Sequence, residues 1–229
     1  MSFNQPEDSG FIAEHVFDQA CQGLSRLALE TGQRESKFDI RGEAQNRYLV
    51  ISRPLSIGPS RQRSASPTAS DSAEEAHDIP TDCADIEDED DNAAVHHHPA
   101  SHTSSTVEYQ ILYSTSYHVP VLYFFLRDMP APKSRTIDTV YQYLVPQHLQ
   151  TEARTVGVMG GIGMTNHPIS DIPCFWVHPC NTAEAMKEIL NSVERKSSPV
   201  EYLLIWVGIV GAAVGLSLPK EMIFGTDFK

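Results

Sequence analysis

The sequence predicts an α+β domain interrupted by a disordered acidic insert, and three observations carry that expectation. Ile12, Val16, Ala20, Leu24 and Leu27 recur at spacings of four and three, the repeat of one helix face. Val107, Tyr109, Ile111 and Tyr113 alternate, and after Ser114-Thr115-Ser116 a β-branched and aromatic run from Val119 to Leu126 completes a β-hairpin pattern. Between these regions, from Arg53 to about Ser105, the composition changes to Ser, Pro, Thr, Asp, Glu and His with almost no large apolar residues.

That middle stretch cannot bury enough apolar area to offset the roughly 1–2 kcal/mol per residue of backbone entropy lost on ordering. It divides the chain into 1–52, an N-terminal helix and the first strand or strands; 53–106, the insert; and 107–229, the remainder of the same domain. The formal charge of −13 follows the same division. Eleven of the 30 acidic residues lie between Asp71 and Asp91, where there is no Lys or Arg, so the rest of the chain carries only −2. Nothing outside the insert resembles the basic face that phosphate-backbone binding requires, which argues against a nucleic-acid role. Cys21, Cys83, Cys174 and Cys180 follow no disulfide-scaffold or Cys-x-x-Cys spacing, and the N-terminus lacks a secretory layout. Free thiols in a reducing cytosolic compartment are expected.

Taken in order, the first helix follows Asp8 and Ser9 as cap candidates. Lys37 to Ile51 reads as a strand pair, or one strand broken at Gly42, ending in Tyr48-Leu49-Val50-Ile51. Pro120 cannot donate a ladder hydrogen bond and belongs at a strand start or on an edge. Ile137, Val140, Tyr141 and Leu144 suggest a short helix. Gly157, Gly160, Gly161 and Gly163 lack both a following Gly-Lys-Ser/Thr and the GxGxxG spacing, so they read as a flexible loop and not a nucleotide site. Pro173 to Val177 reads as a strand, followed by a helix that Asn181 or Thr182 can cap, with Glu184 in its first turn. Tyr202 to Leu218 is uncharged for seventeen residues, which fits a helix buried in the domain or a short tail anchor, since a transmembrane helix usually needs about 20 apolar residues.

One strong nucleophile candidate emerges. Cys180, in His178-Pro179-Cys180-Asn181-Thr182, lies immediately before a helix start, where free backbone N–H groups favour a thiolate. A buried structural cysteine is the competing reading. Cys174 sits in the apolar Pro173-Cys174-Phe175-Trp176-Val177 and reads as structural, Cys21 lies beside the first helix's apolar face, and Cys83 lies in the insert. A cysteine protease would need a histidine against Cys180; His118, His148 and His167 are formally available, whereas His178 is too close along the chain. His96-His97-His98 lies in the insert without a complementary ligand set, so no metal is expected.

Three blocks together carry a family resemblance: Tyr113-Ser114-Thr115-Ser116-Tyr117-His118-Val119-Pro120-Val121-Leu122-Tyr123-Phe124; His167-Pro168-Ile169 leading to Phe175-Trp176-Val177-His178-Pro179-Cys180; and Trp206-Val207-Gly208-Ile209-Val210-Gly211 through Val214-Gly215-Leu216-Ser217-Leu218-Pro219. In order and content they resemble the autophagy-related protein 10 family of E2-like enzymes. His-Pro-Cys alone is also shared with the E2-like autophagy-related protein 3. The resemblance implies a ubiquitin-conjugating (E2)-like fold, an antiparallel sheet flanked by helices. It implies that Cys180 accepts the ubiquitin-like autophagy-related protein 12 as a thioester from its E1, autophagy-related protein 7. The cargo would then pass to a lysine of autophagy-related protein 5, with the autophagy-related protein 8 family as a further candidate partner.

The family resemblance also implies a cytoplasmic protein with no cofactor and no stable membrane insertion, ATP use belonging to the E1, and it makes Tyr202 to Leu218 a buried helix. Ubiquitin E2 enzymes place an Asn in a His-Pro-Asn motif upstream of the cysteine to support the transferring oxyanion. Here His167-Pro168 is followed by Ile169 and His178-Pro179 by Cys180, so that motif is missing. Asn166, Asn181, Thr182 and the backbone near residue 181 are candidate donors, His178 is a possible supporting residue, and Tyr117 is placed to orient the incoming lysine. The insert and the glycine-rich loop depart from the family pattern. A non-catalytic E2-like adaptor with a structural Cys180 and a tail-anchored membrane protein are the alternative readings.

Overall fold

A computed structural model of the chain describes residues 10–43, 46–55, 105–129, 136–149, 161–192 and 197–224. The elements run α1 (Glu14–Glu30), β1 (Lys37–Arg41), β2 (Tyr48–Pro54), β3 (Thr106–Ser114), β4 (Val119–Arg127), α2 (Ile137–Tyr143), a 3-10 turn (Gln147–Leu149), β5 (Ile162–Asn166), β6 (Pro173–Val177), α3 (Thr182–Ser192), α4 (Pro199–Val210) with a 3-10 extension (Gly211–Val214), and α5 (Lys220–Phe224). Among the described residues the six strands form one sheet in the order β1-β2-β3-β4-β6-β5, antiparallel at every pairing. This is the α+β, ubiquitin-conjugating-type arrangement expected of the chain.

Strand alternation decides which side carries the core. Leu49 and Ile51, Val107, Tyr109 and Ile111, Leu122, Phe124 and Leu126, and Phe175 and Val177 share one face and join a single buried cluster with α1 and α4. The predicted face of α1 is the buried one, extended by Phe17, Cys21 and Ala28. Its start differs from expectation. The helix begins at Glu14 with Ala13 at the N-cap and no side-chain cap, and Asp8 and Ser9 lie outside the described residues. Residues 10–12 are instead an extended strap: the Ile12 N–H donates to the His118 carbonyl (2.9 Å) and the Gly10 carbonyl accepts from the Tyr202 hydroxyl (2.8 Å).

The hairpin of β3 and β4 has the predicted limits within a residue, and Pro120 is the second residue of β4, as its missing donor requires. Lys37 to Ile51 is a strand pair, Arg41 opposite Tyr48. The β2–β3 ladder runs slightly beyond the compositional boundary, with Arg53 opposite Val107, Pro54 opposite Thr106, and the Leu55 N–H on the Ser105 carbonyl (2.7 Å). The acidic run and His96-His97-His98 lie outside the described residues, as does Cys83.

One expectation needs correction. Gly163 belongs to a strand, β5, and not to a loop; Gly157 and Gly160 lie outside the described residues. Gly163 faces Trp176, and a Cβ there would sit 3.1 Å from the indole nitrogen, so a larger residue would press the ring back by a few tenths of an ångström. The uncharged run Tyr202 to Leu218 is a buried helix, as the family resemblance implies: it takes in most of a twelve-residue helix and its 3-10 turn, with Tyr202, Leu203, Trp206, Val207, Val210 and Val214 in the core. No helix among the described residues is long and apolar enough to cross a membrane. The helix starts three residues before that run, at Pro199, behind a capping box: the Glu201 N–H donates to Ser198 Oγ (3.3 Å) and the Ser198 N–H donates to Glu201 Oε2 (2.7 Å).

Candidate active site

Three cysteines among the described residues carry free thiols, in three different settings. Cys21 is buried on the inner face of α1, and burial, reinforced by the Asp18 carboxylate and only partly offset by Arg47, pushes its thiol far up. Cys174 is 2% exposed within β6, where burial pushes its thiol up to about 11. Both are held as neutral thiols. Cys180 is exposed.

The local sequence explains that exposure. β6 ends at Val177, Pro179 is buried as a wedge below the surface, and Cys180 and Asn181 form the turn that leads into α3. The Thr182 N–H closes the turn on the Pro179 carbonyl (3.0 Å), and the Asn181 carbonyl accepts the first helical hydrogen bond from Ala185 (3.1 Å). Asn181 therefore occupies the N-cap position beside the thiol. Thr182 is the first helical residue and is buried, with its side chain drawn into the fold. The first-turn amides of α3 present the positive end of the helix dipole to charge developing at Cys180.

His178 is tied to this turn. Its Nδ1 accepts the Cys180 backbone N–H (3.2 Å), which leaves the ring proton of the neutral imidazole on Nε2. The ring sits between two aromatic groups, Trp176 at 4.9 Å and Tyr117 edge-on at 6.0 Å between centroids. Tyr117 comes from the β3–β4 turn, which the β4–β6 register brings beside residues 178–180. That turn is closed by the His118 N–H on the Ser114 carbonyl (2.8 Å) and the Tyr117 N–H on Ser114 Oγ (3.3 Å), and it leaves Tyr117 41% exposed.

The other candidates are elsewhere. Asn166 is exposed at the end of β5 opposite Pro173, so the length of the five-residue β6, about 13 Å, separates it from the Cys180 end of the hairpin. Strand alternation also puts it on the sheet face of Phe175 and Val177, whereas Trp176 lies on the other face. The structure thus brings Tyr117, His178, Asn181 and Thr182 to Cys180 and leaves Asn166 away. His118 is engaged through Nδ1 with the Tyr113 hydroxyl (3.2 Å). His148 lies in the 3-10 turn after α2. His167 is 2% exposed among the rings of Tyr48, Tyr123 and Phe125; its Nδ1 faces the backbone N–H groups of Ile169 and Ser170 and the Ser170 hydroxyl, and burial pulls its pKa down. No histidine hydrogen-bonds the Cys180 sulfur among the described residues, so the protease arrangement is not assembled. Nor do the described residues hold a cluster of His, Cys, Asp or Glu suited to a metal. A cleft of ≈ 190 Å³ lies between α1, the β1–β2 connection and the His167 loop, lined by Asp18, Arg47, Tyr113 and Ile169 among others, and Cys180 is not part of its wall.

Sequence reasoning missed two contributors, Trp176 as a support for His178 and the strap at residues 10–12. Trp176 was readable from alternation, since Cys174 and Trp176 must share the face opposite Phe175 and Val177. The strap carries no local signal, because its partners are His118 and Tyr202.

Residues 16–221 match the family model described as "Autophagocytosis associated protein, active-site domain". Three curated relatives, each named "Ubiquitin-like-conjugating enzyme ATG10", come from Gibberella zeae (40% identical over 136 residues, 59% of this chain and 55% of the relative), Homo sapiens (38% over 115 residues, 49% and 50%) and Dictyostelium discoideum (30% over 126 residues, 51% and 53%). The chain spans about half the length of the curated relatives it matches. With the match covering nearly the whole described fold and the Cys180 turn within it, the chain belongs to the autophagocytosis-associated active-site domain family, among relatives of the autophagy-related protein 10 type.

Proposed function

We propose that this protein is an E2-like conjugating enzyme that carries autophagy-related protein 12 on Cys180. The cargo comes from the E1, autophagy-related protein 7, and passes to a lysine of autophagy-related protein 5, in the cytoplasm. The observation that carries the reading is Cys180 itself: an exposed thiol on a short turn at the head of α3, in a chain whose relatives are named conjugating enzymes. Autophagy-related protein 8 family members are a further candidate partner.

Two acyl transfers make up the reaction. The Cys180 thiolate attacks the E1 thioester carbonyl, the new C–S bond forms, and the E1 thiolate leaves. This exchange is nearly isoenergetic and needs mainly positioning. The neutral lysine amine then attacks the Cys180 thioester; the isopeptide forms, the Cys180 thiolate departs, and the amine proton is lost to solvent. Oxyanion stabilisation is the demanding part. The first-turn amides of α3 and the side chain of Asn181, which follows Cys180 at the N-cap, are the candidate oxyanion donors, and Tyr117, whose ring meets that of His178, is the candidate to orient the lysine.

A non-reducing gel of the purified chain with E1, ATP and autophagy-related protein 12, beside Cys180→Ala, tests the proposal. A reductant-sensitive band shifted by one ubiquitin-like protein, absent in Cys180→Ala, is expected. No such band while the E1 charges normally would replace the transferase with a non-catalytic adaptor of the same fold.

A further inference from the structure

The hydrogen bond from the Cys180 N–H to His178 Nδ1 spans two residues and is accepted by the residue that immediately precedes the proline of the turn. Aspartate and asparagine close the same ring with a side-chain oxygen in an Asx turn, fixing the backbone of the next two residues. Here an imidazole nitrogen plays the oxygen's part, and the rings of Trp176 and Tyr117 hold the imidazole in place. The main chain of Cys180 is fixed on its amino side by this ring and on its carboxyl side by the Thr182–Pro179 and Ala185–Asn181 hydrogen bonds.

We propose that His178 is a positioning residue that acts through the Cys180 main chain: its Nδ1 latches the turn and aims the sulfur, and the ring takes no proton from the thiol. The geometry has a chemical corollary. A ring whose Nδ1 accepts a hydrogen bond is neutral and carries its proton on Nε2, so the proton inventory of the histidine is set by the latch. The latch also explains why histidine precedes the proline here although no base is aimed at the cysteine, since the γ-position acceptor is the feature that the turn uses.

The functional part of the test rests on the transferase reading above, and the spectroscopic part does not. His178→Ala, His178→Asn and His178→Gln are prepared in the full chain, with thermal midpoints confirming the fold. Asn keeps an acceptor at the Nδ1 position without the ring; Gln moves it one bond further out. Single-turnover discharge of the Cys180 thioester to lysine is expected to slow about tenfold or more in Ala and Gln, as a displaced reacting atom does, and to recover most of its rate in Asn. Equal rates in Ala and wild type, or an Asn variant as slow as Ala, would overturn the latch. Independently of any cargo, long-range ¹⁵N–¹H spectra of the wild-type histidines at neutral pH, with His178→Ala assigning the signal, should show an unprotonated Nδ1 and a protonated Nε2. A proton on Nδ1 overturns the proposal even where the thioester forms. If no thioester forms, the proposed transferase falls, and the nitrogen spectrum still decides the latch.

Discussion

Cys174 and Cys180 are six residues apart and share no chemistry. Cys174 lies in a strand, across from Thr165 of β5, and is sealed from solvent. Cys180 lies just after the same strand has ended, where a buried proline and two backbone hydrogen bonds turn the chain outward. The residue type is constant; what differs is whether the backbone is still in the sheet. A thiol within a strand loses water on both flanks, and one at the exit keeps water on one side and gains helix amides on the other.

The largest effect that bears on this comparison is loss of the thioester. Cys180→Ala should abolish the reductant-sensitive conjugate while leaving the free energy of denaturant unfolding within the range of about 0.5 kcal/mol typical of surface changes. Alkylation of the native protein should modify Cys180 more than about a hundredfold faster than Cys174 or Cys21, which react only through opening of the fold, with peptide mass spectrometry reading each site. Comparable rates at Cys174 and Cys180 would erase the distinction. Cys174→Ser should keep thioester formation but cost about 1–3 kcal/mol in denaturant unfolding, because a hydroxyl replaces the thiol in an apolar setting.

The subtlest effect is alkaline. The Cys174 thiol is raised from 9.0 to about 11 in the fold, so the folded state holds that proton more tightly than the unfolded chain. The associated stability is fully present below pH 9 and is lost as pH rises toward about 11. Cys174→Ala should therefore lose less stability than wild type between pH 9 and 11, measured as parallel denaturant midpoints.

Where burial follows a local period, the fold was legible. α1 and the β3–β4 hairpin pack on the residues that the spacing selects, because each side chain's neighbour across the core repeats at the same interval. β5 was not legible. Gly163 and the exposed Met164 give no apolar alternation, and what holds the strand is its ladder to β6 under Trp176. The start of α4 was readable from Ser198-Pro199-Val200-Glu201, and the uncharged run that follows drew the boundary to Tyr202 instead. In the site, Cys180 and its helix could be read from order along the chain. The presence of Tyr117 and the distance of Asn166 depend on strand register, which spacing does not encode.

The strap at residues 10–12 sets an order of events during synthesis. The Gly10 carbonyl meets a hydroxyl 192 residues further along, and a Cβ on Gly10 would collide with the Ala183 carbonyl, so the segment is wedged against α3 as well as α4. Neither partner exists when the strap leaves the ribosome. Translation at about 5–20 residues per second leaves a window on the order of ten seconds or more in which the hairpin can pair while the strap stays undocked. Docking of the strap is therefore completed only after Tyr202 has emerged, and a chain truncated before that point leaves the Gly10 carbonyl without its hydroxyl donor.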